Sequence, residues 1–314
     1  AKPTGSNVTL PNDKLSLFSF KPDMAGNYEL ELIVNDGTVS SAPDKMLITV
    51  LAPTVGTTIT TINIHDTTTP SVTQTNVPVT FGQVFKKGDI PTGKTLVART
   101  SSGASIPLQV DAKATHADGS LRHGVFTAIV PSLAATTTQT LELVSANATS
   151  MSSGPILSDV LNTNFDAVLT LTLGGTIYSA SARNLLQTTQ AQLWLDGFLA
   201  KEWEVSAPLK TASGVMHPHL SARFSIRAYQ GLESIWVSAV VENNWTFEPG
   251  PQNFTYDVSL TSRGLEVYSK RGLTHYHHAR WRKEFWWGKQ PSVHIKHDIQ
   301  YLIASKAVPN YDQS

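Results

Sequence analysis

The segment from His275 to Trp287 combines more chemically capable side chains than any other stretch of the sequence. It holds three His, one Tyr, three Trp, one Phe and three basic residues, while the whole chain is only 8% aromatic and 15% charged. Imidazole and phenol groups can transfer protons, guanidinium groups bind carboxylates, and flat aromatic rings stack on sugar faces. A fully buried core tolerates few cations without partners, so this composition favours a half-exposed groove.

Placed on a single strand, the side chains of this segment would divide between two faces. His275, His277 and Trp281 would share one face, and Tyr276, His278, Arg280 and Arg282 the other. The predicted binding residues are His275, Tyr276, His277, His278, Arg280, Arg282, Trp286 and Trp287. The alternative is that the aromatic residues form a core or a seam against another domain, with the cations solvated along its rim. No catalytic residue is assigned.

Two histidine pairs have a spacing that could bind a metal ion. His275 and His277, and likewise His217 and His219, would point to one side of a strand, as two zinc ligands must. A third ligand is not evident, and the chain has no cysteine. Asp23 and Asp36 alone supply too few oxygen ligands for a calcium site, which needs about six to eight. We therefore predict no metal site and no cofactor.

A third group, Asp118, Arg122 and His123, surrounds a tight glycine turn. A charged trio at a turn can mark a site, but these residue types also build turns. We expect Asp118 to cap the turn, Gly119 to take a positive φ, and Arg122 to pair with Asp118 or Asp111. No Gly-x-Ser-x-Gly elbow and no phosphate-binding glycine loop occurs.

Charge and hydropathy exclude several classes of partner. With 24 Lys plus Arg against 24 Asp plus Glu, no net charge attracts the chain to nucleic acid or to an anionic membrane. No apolar run approaches the about 18 residues of a membrane span. The absence of cysteine removes disulfides and thiol nucleophiles, and is typical of extracellular bacterial and virion proteins. We predict an extracellular or virion-associated location, no nucleic acid and no membrane insertion.

Short segments in which apolar and polar residues alternate, separated by glycine turns, predict the β-strands that position these residues. Tyr28, Leu30, Leu32 and Val34 alternate with polar residues, and similar strands recur along the chain to His294–Leu302. Only residues 180–192 suggest a helix. The prediction is an all-β fold in tandem units. These are residues 1–52, a Thr-rich linker 53–75 that carries one short strand around residues 59–64, a barrel 76–150, a larger antiparallel β-sandwich 151–310, and the start of a missing domain at 311–314.

The first unit resembles the C-terminal half of bacterial PKD-type Ig-like domains. The resemblance rests on Phe20-x-x-Asp23-x-Ala25-Gly26-x-Tyr28 followed by Val34-Asn-Asp-Gly37, with Tyr28 at the place of the corner tyrosine. It implies that residues 1–52 are a partial module, completed by residues upstream of Ala1 or by another chain.

Residues 76–310 resemble the exo-rhamnogalacturonan lyase-like proteins. The barrel motifs are Val77-Pro-Val-Thr-Phe-Gly82, Gly88-x-Ile90-Pro91, Ile106-Pro-Leu-Gln109 and His116-Ala-Asp-Gly-Ser-Leu-Arg-His123. The sandwich motifs are Arg280-Trp281, Phe285-Trp286-x-Gly288, His297-Asp298 and Tyr301-Leu302. The resemblance implies a RIFT-type barrel followed by a β-sandwich, and in that family an α/α-toroid comes next.

Two functions follow from this resemblance. One is a β-rich, non-catalytic part of a polysaccharide-lyase-like protein that binds an acidic or cell-surface polysaccharide; if the chain belongs to an enzyme, that enzyme is a lyase whose toroid is missing here. The other is a structural or receptor-binding component of a phage tail or extracellular fibre, with fibre neighbours or copies of itself as partners. Fold alone does not decide between them.

Overall fold

Antiparallel β-strands make up nearly all of the regular structure. The computed structural model describes residues 1–4, 6, 8–9, 22, 26–50, 56–147 and 154–309. All strand pairs within these ranges are antiparallel, and their helices are three segments of five to seven residues. The all-β fold class is confirmed. The chain divides into two compact units, residues 1–56 and residues 57–314. None of the described helices is long and apolar enough to cross a membrane.

The first unit contains one hairpin, formed by β1 (Gly26–Leu32) and β2 (Asp44–Val50). Tyr28 is buried, whereas Leu32, Met46 and Leu47 are each more than half exposed. Phe20 and Asp23, which carry part of the Ig-like resemblance, lie outside the described residues. The Ig-like interpretation of residues 1–52 therefore stays a prediction.

The barrel of the second unit is built from two sheets around one apolar core. Its first strands are β3 (Thr58–Asp66), β4 (Gln74–Val84), β5 (Lys94–Thr100), β6 (Ser105–Ile106), β7 (Leu108–Thr115), β8 (Leu121–Leu133) and β9 (Thr138–Asn147). One sheet has the order β3-β9-β5-β6 and the other β4-β8-β7. Alternate residues such as Ile62, Phe81 and Phe126 point inward, so the two sheets share one core.

The sandwich contains nine strands of one antiparallel sheet. Its elements are α1 (Leu157–Leu161), β10 (Val168–Leu173), β11 (Thr176–Ser181), α2 (Ala182–Thr188), β12 (Gln192–Asp196), β13 (Ala200–Lys210), β14 (Met216–Tyr229), β15 (Ile235–Asn243), β16 (Phe254–Ser262), β17 (Leu265–His275) and β18 (Ala279–Trp287). The strand order is β17-β16-β10-β11-β13-β14-β15-β18, with β12 paired to β13. Because Tyr268 of β17 contacts Trp281 of β18, the two ends of this order meet, and the sheet encloses a core.

After the sandwich the chain returns to the barrel. β19 (Val293–His297) pairs with β3, and α3 (Ile299–Ala304) places Tyr301 in the barrel core, where its hydroxyl donates to Asp89 at 2.5 Å. The predicted strand His294–Leu302 is therefore wrong in its second half. The strand ends because the Asp298 carboxylate accepts from the backbone N–H groups of Gln300 and Tyr301, which caps a helix.

A buried glutamine joins the barrel to the sandwich. The Oε1 atom of Gln109 on β7 accepts from the backbone N–H groups of Leu199 and Ala200, both at 2.8 Å. Its Nε2 atom donates to Ala200 O at 3.0 Å and to Asp111 at 2.6 Å. Since four hydrogen bonds converge on one buried amide, the turn before β13 is held firmly against the barrel.

Candidate functional site

The predicted segment does not form one strand. It consists of the end of β17 at His275, a turn at Tyr276–His278 and then β18. His278 has φ +61°, in the left-handed region that a tight turn requires. The expected division of the segment into two faces is therefore wrong across the turn, although it holds along β18.

His275 lies inside the sandwich and is 2% exposed. A carbonyl only accepts, so His275 Nε2 carries the proton that it donates to Ala279 O at 2.8 Å. Its Nδ1 atom then accepts from the Tyr256 hydroxyl at 2.8 Å, and that hydroxyl accepts from Trp281 Nε1 at 2.8 Å. All the polar groups in this chain of hydrogen bonds have partners, so His275 has a structural role.

Trp287 also lies in the core. Its ring meets Phe165 edge-on, with ring centroids 6.3 Å apart. His275 and Trp287 are therefore corrections to the predicted site, because neither side chain faces solvent. The alternative interpretation, aromatic residues packed in a core, describes these two residues.

The turn carries Tyr276, His277 and His278. Tyr276 is 62% exposed, and the His277 and His278 rings lie 3.7 Å apart between centroids. The backbone N–H of His277 donates to Asn253 Oδ1 at 2.9 Å, which ties the turn to the neighbouring loop. Across the described ranges, no group of three or more His, Cys, Asp or Glu residues is placed to hold a metal ion.

Arg280, Arg282 and Trp286 lie on the outer face of the sheet. β18 pairs with β15, so that Arg280 lies opposite Glu242 and Trp286 lies opposite Trp236. The same face continues across β14 and β13. We call this surface the outer face; it consists of Glu202, Glu204, Ser206, Pro208, Ser221, Arg223, Ser225, Arg227, Trp236, Glu242, Arg280, Arg282, Glu284 and Trp286.

Most charges on the outer face are paired. Arg223 contacts Glu242 at 2.9 Å, Arg227 contacts Glu202 at 2.5 Å, and Arg282 contacts Glu284 at 3.2 Å. Burial raises the pKa of Glu202, and the nearby Arg227 opposes that rise. Exposed Arg280 has no ion pair with any residue that the structure describes. Among the described residues of the face, the β18 edge therefore offers the unpaired Arg280 and the exposed Arg282–Glu284 pair, and further ion pairs lie towards the middle.

The aromatic groups of the outer face lie towards the other end of β18, where Trp286 follows Arg282 and Glu284 along the same face. The Trp286 ring stacks on Tyr229 with centroids 5.7 Å apart and planes inclined by 14°. The Arg227 guanidinium lies 4.4 Å from the centroid of Trp236. Both indoles are half-buried, so part of each side chain is accessible to solvent. Flat, supported rings of this kind can stack on apolar sugar faces.

The residues at the barrel turn have structural roles. Asp118 Oδ1 accepts from the backbone N–H of Ser120 at 3.1 Å and from its hydroxyl at 2.6 Å, and Gly119 has φ +81°. The expected pairing of Arg122 with Asp118 or Asp111 is not found. Instead, Asp111 accepts from Gln109 and from the backbone N–H of Asp196.

The sequence prediction missed Arg223, Arg227, Trp236 and Glu242. The polar alternation along β14 marked a solvated face, but nothing in the sequence showed that β14 lies two strands away from β18. The pairing β15–β18 brings together residues that are 36 to 52 positions apart in the sequence, and local sequence patterns do not indicate such pairing.

Comparison with known proteins bears on the barrel. Residues 61–144 match the family model of the PcRGLX-like N-terminal RIFT barrel domain, and this range runs from β3 to β9. No curated protein matches the chain. Residues 61–144 thus form a RIFT barrel similar to the N-terminal domain of the PcRGLX-like family, within a chain that is β-rich throughout its described residues.

Proposed function

We propose that the chain is the glycan-binding, non-catalytic part of an extracellular or virion-borne polysaccharide-lyase-like protein, and that an acidic polysaccharide lies along its outer face. The observation that carries this proposal is the register of β15 and β18. It sets Trp286 opposite Trp236 and leaves Arg280 and Arg282 exposed on the same face. Stacking surfaces and carboxylate-binding groups are thereby combined on one surface.

The bonding of the acidic residues favours binding over cleavage. Eliminative cleavage of a uronate needs a free base beside the sugar, a cation and a proton donor to the leaving oxygen. On the outer face, however, Glu202 and Glu242 are paired with arginines, and Glu204 accepts from Ser225 at 3.0 Å. His275 is buried. No described residue on this face is a free base beside the two indoles.

Binding measurements test the proposal. Calorimetric titration with polygalacturonate should give binding that Trp286→Ala weakens by about tenfold, since one supported stacking surface is lost. Arg282→Ala should weaken binding at low salt, and the effect should shrink as salt screens it. Trp194→Ala and Arg271→Ala remove exposed residues outside the outer face and serve as matched controls. Undiminished binding by Trp286→Ala and Arg282→Ala would contradict the proposal.

A fibre component is the second candidate. The observation that favours it is the rigid junction at Gln109, because a stiff barrel–sandwich pair suits a spacer. A spacer needs no ligand on the outer face. The fibre role would be favoured by two results together. The purified chain would bind neither acidic nor neutral polysaccharides, and it would self-associate in sedimentation experiments.

A further inference from the structure

A depression opens at one end of the outer face, where the loop 244–253 rises beside the sheet. Its volume is about 270 Å³, which is room for a single sugar ring. The lining residues include Ser206, Pro208, Ser221, Glu242, Asn244 and Trp245. None of these residues was singled out by the sequence analysis.

The loop that forms the wall is held at several points. Asn243 Nδ2 donates to Gln252 O at 3.0 Å, and the backbone N–H of His277 donates to Asn253 Oδ1 at 2.9 Å. His219 Nε2 donates to Pro249 O at 3.1 Å, because that carbonyl can only accept. The loop is thus fastened near its end and at Pro249.

Two aromatic residues stay exposed on this fastened loop. Trp245 is 49% exposed and borders the depression, while Phe247 is 97% exposed and does not line it. An exposed indole that borders a polar depression suits a ligand with one apolar face and several hydroxyl groups.

The floor is polar but electrically balanced. Ser206 and Ser221 offer hydroxyls, Asn244 offers an amide, and Glu242 offers carboxylate oxygens. Arg223 neutralises Glu242 by donating to its Oε1 at 2.9 Å, which leaves the other carboxylate oxygen, Oε2, for further hydrogen bonds. A carboxylate at the floor accepts hydroxyl groups and disfavours a second anion.

We infer that the depression is a subsite for one neutral sugar ring, with Trp245 stacking on the ring and Glu242 accepting its hydroxyls. The inference rests on the proposed function only for the claim that this ring belongs to the glycan on the outer face. It assigns different chemistry to the two places: acidic units bind beside Arg280 and Arg282, and a neutral unit binds beside Trp245.

Labelling with 5-fluorotryptophan can test the subsite. The chain has seven Trp residues, so the fluorine spectrum should show seven resonances, with that of Trp245 identified by its loss in Trp245→Phe. Glucose, galactose, mannose and rhamnose are the probes. At least one of them should shift the Trp245 resonance, with little effect on Trp236 and Trp286. If no probe shifts it, the inference is overturned.

Variants provide the second measurement. Trp245→Ala should weaken binding of the effective sugar by about tenfold, and Glu242→Gln by about fivefold, because the amide keeps the bond from Arg223 but loses the charge. Phe247→Ala is the matched control on the same loop and should bind normally. Equal losses in Phe247→Ala and Trp245→Ala would overturn the inference.

The two proposals can fail separately. If polygalacturonate binding depends on Trp286 but no neutral sugar affects Trp245, the subsite is refuted and the proposed function stands. If a neutral sugar binds beside Trp245 but polygalacturonate does not bind, the subsite stands and the acidic-polysaccharide function is refuted.

Discussion

At the scale of single residues, hydrogen-bond partners separate binding groups from structural ones. His275 and Arg280 are five positions apart and both have suitable chemistry, but His275 bonds Tyr256 and Ala279 inside the sandwich, while Arg280 is exposed. Residue types alone could not make this distinction. The turn between them contains Tyr, His and His rather than Gly, Pro or Asn, so no local signal marked it.

Removing the hydroxyl of Tyr256 should destabilise the sandwich. In Tyr256→Phe, the indole N–H of Trp281 and Nδ1 of His275 both lose their buried partner, which should lower the free energy of unfolding by about 2 kcal/mol. Urea unfolding measures this change. Tyr276→Phe removes an exposed hydroxyl and should leave stability unchanged. Equal stability of Tyr256→Phe and the parent chain would contradict the proposed role of His275.

Buried histidines should make the chain less stable in acid. Burial, with a smaller contribution from His219, lowers the pKa of His217 to about 4, and burial also lowers the pKa of His275. In the unfolded chain a histidine has a pKa of about 6.5. Between these values the unfolded chain binds more protons, so the free energy of unfolding falls as the pH falls, by up to about 3 kcal/mol for His217.

Urea titrations from about pH 7.5 to about pH 4.5 measure this slope. In His217→Asn, the amide oxygen can still accept from the N–H groups of His219 and Leu220 that His217 Nδ1 now binds. The slope should become shallower in this variant, because one titrating group is gone. A slope unchanged by the substitution would show that His217 is not its source.

At the scale of elements, strands with regular alternation were predictable and their distant pairing was not. β3 lies within the segment predicted as a linker, and β19 lies within the range predicted as sandwich, yet the two pair with each other across the barrel sheet. Each contributes few apolar residues, such as Ile62 and Ile295, and only the pairing of strands more than 200 residues apart makes them one structure.

The contact between β7 and the turn before β13 should be a large single contribution to stability. Gln109→Ala leaves the backbone N–H groups of Leu199 and Ala200 buried without an acceptor, so the free energy of unfolding should fall by about 3 kcal/mol. Differential scanning calorimetry measures this loss. Gln187→Ala changes an exposed glutamine and is the control. If Gln109→Ala and the Gln187→Ala control melt at the same temperature, the stability of the junction does not depend on the Gln109 amide.

At the scale of the whole molecule, the barrel is the part for which the sequence prediction and the family comparison agree. The motif that ends in Gln109 and the turn around Asp118 predicted a RIFT-type barrel, and the family match over residues 61–144 confirms it. Both motifs have structural roles, in a junction and in a turn, which explains why they identify the fold and not the site. The surfaces proposed for binding lie on the sandwich.

The outer face arises only when four strands are assembled. Arg227 and Trp236 come from β14 and β15, and Arg282 and Trp286 from β18. The sequence predicted the last two and their chemistry. It could not predict the others, because a sheet face is a property of strand order, and strand order depends on contacts distant in sequence.

Footprinting of the tryptophans tests the central claim, that a polysaccharide lies along the outer face. Hydroxyl radicals oxidise accessible indoles, and mass spectrometry measures the oxidation of each with and without saturating polygalacturonate. We predict that the polysaccharide protects Trp236 and Trp286, while Trp194, which is 45% exposed on β12, reacts as before. Unchanged oxidation of Trp236 and Trp286 under saturating polysaccharide would contradict the account.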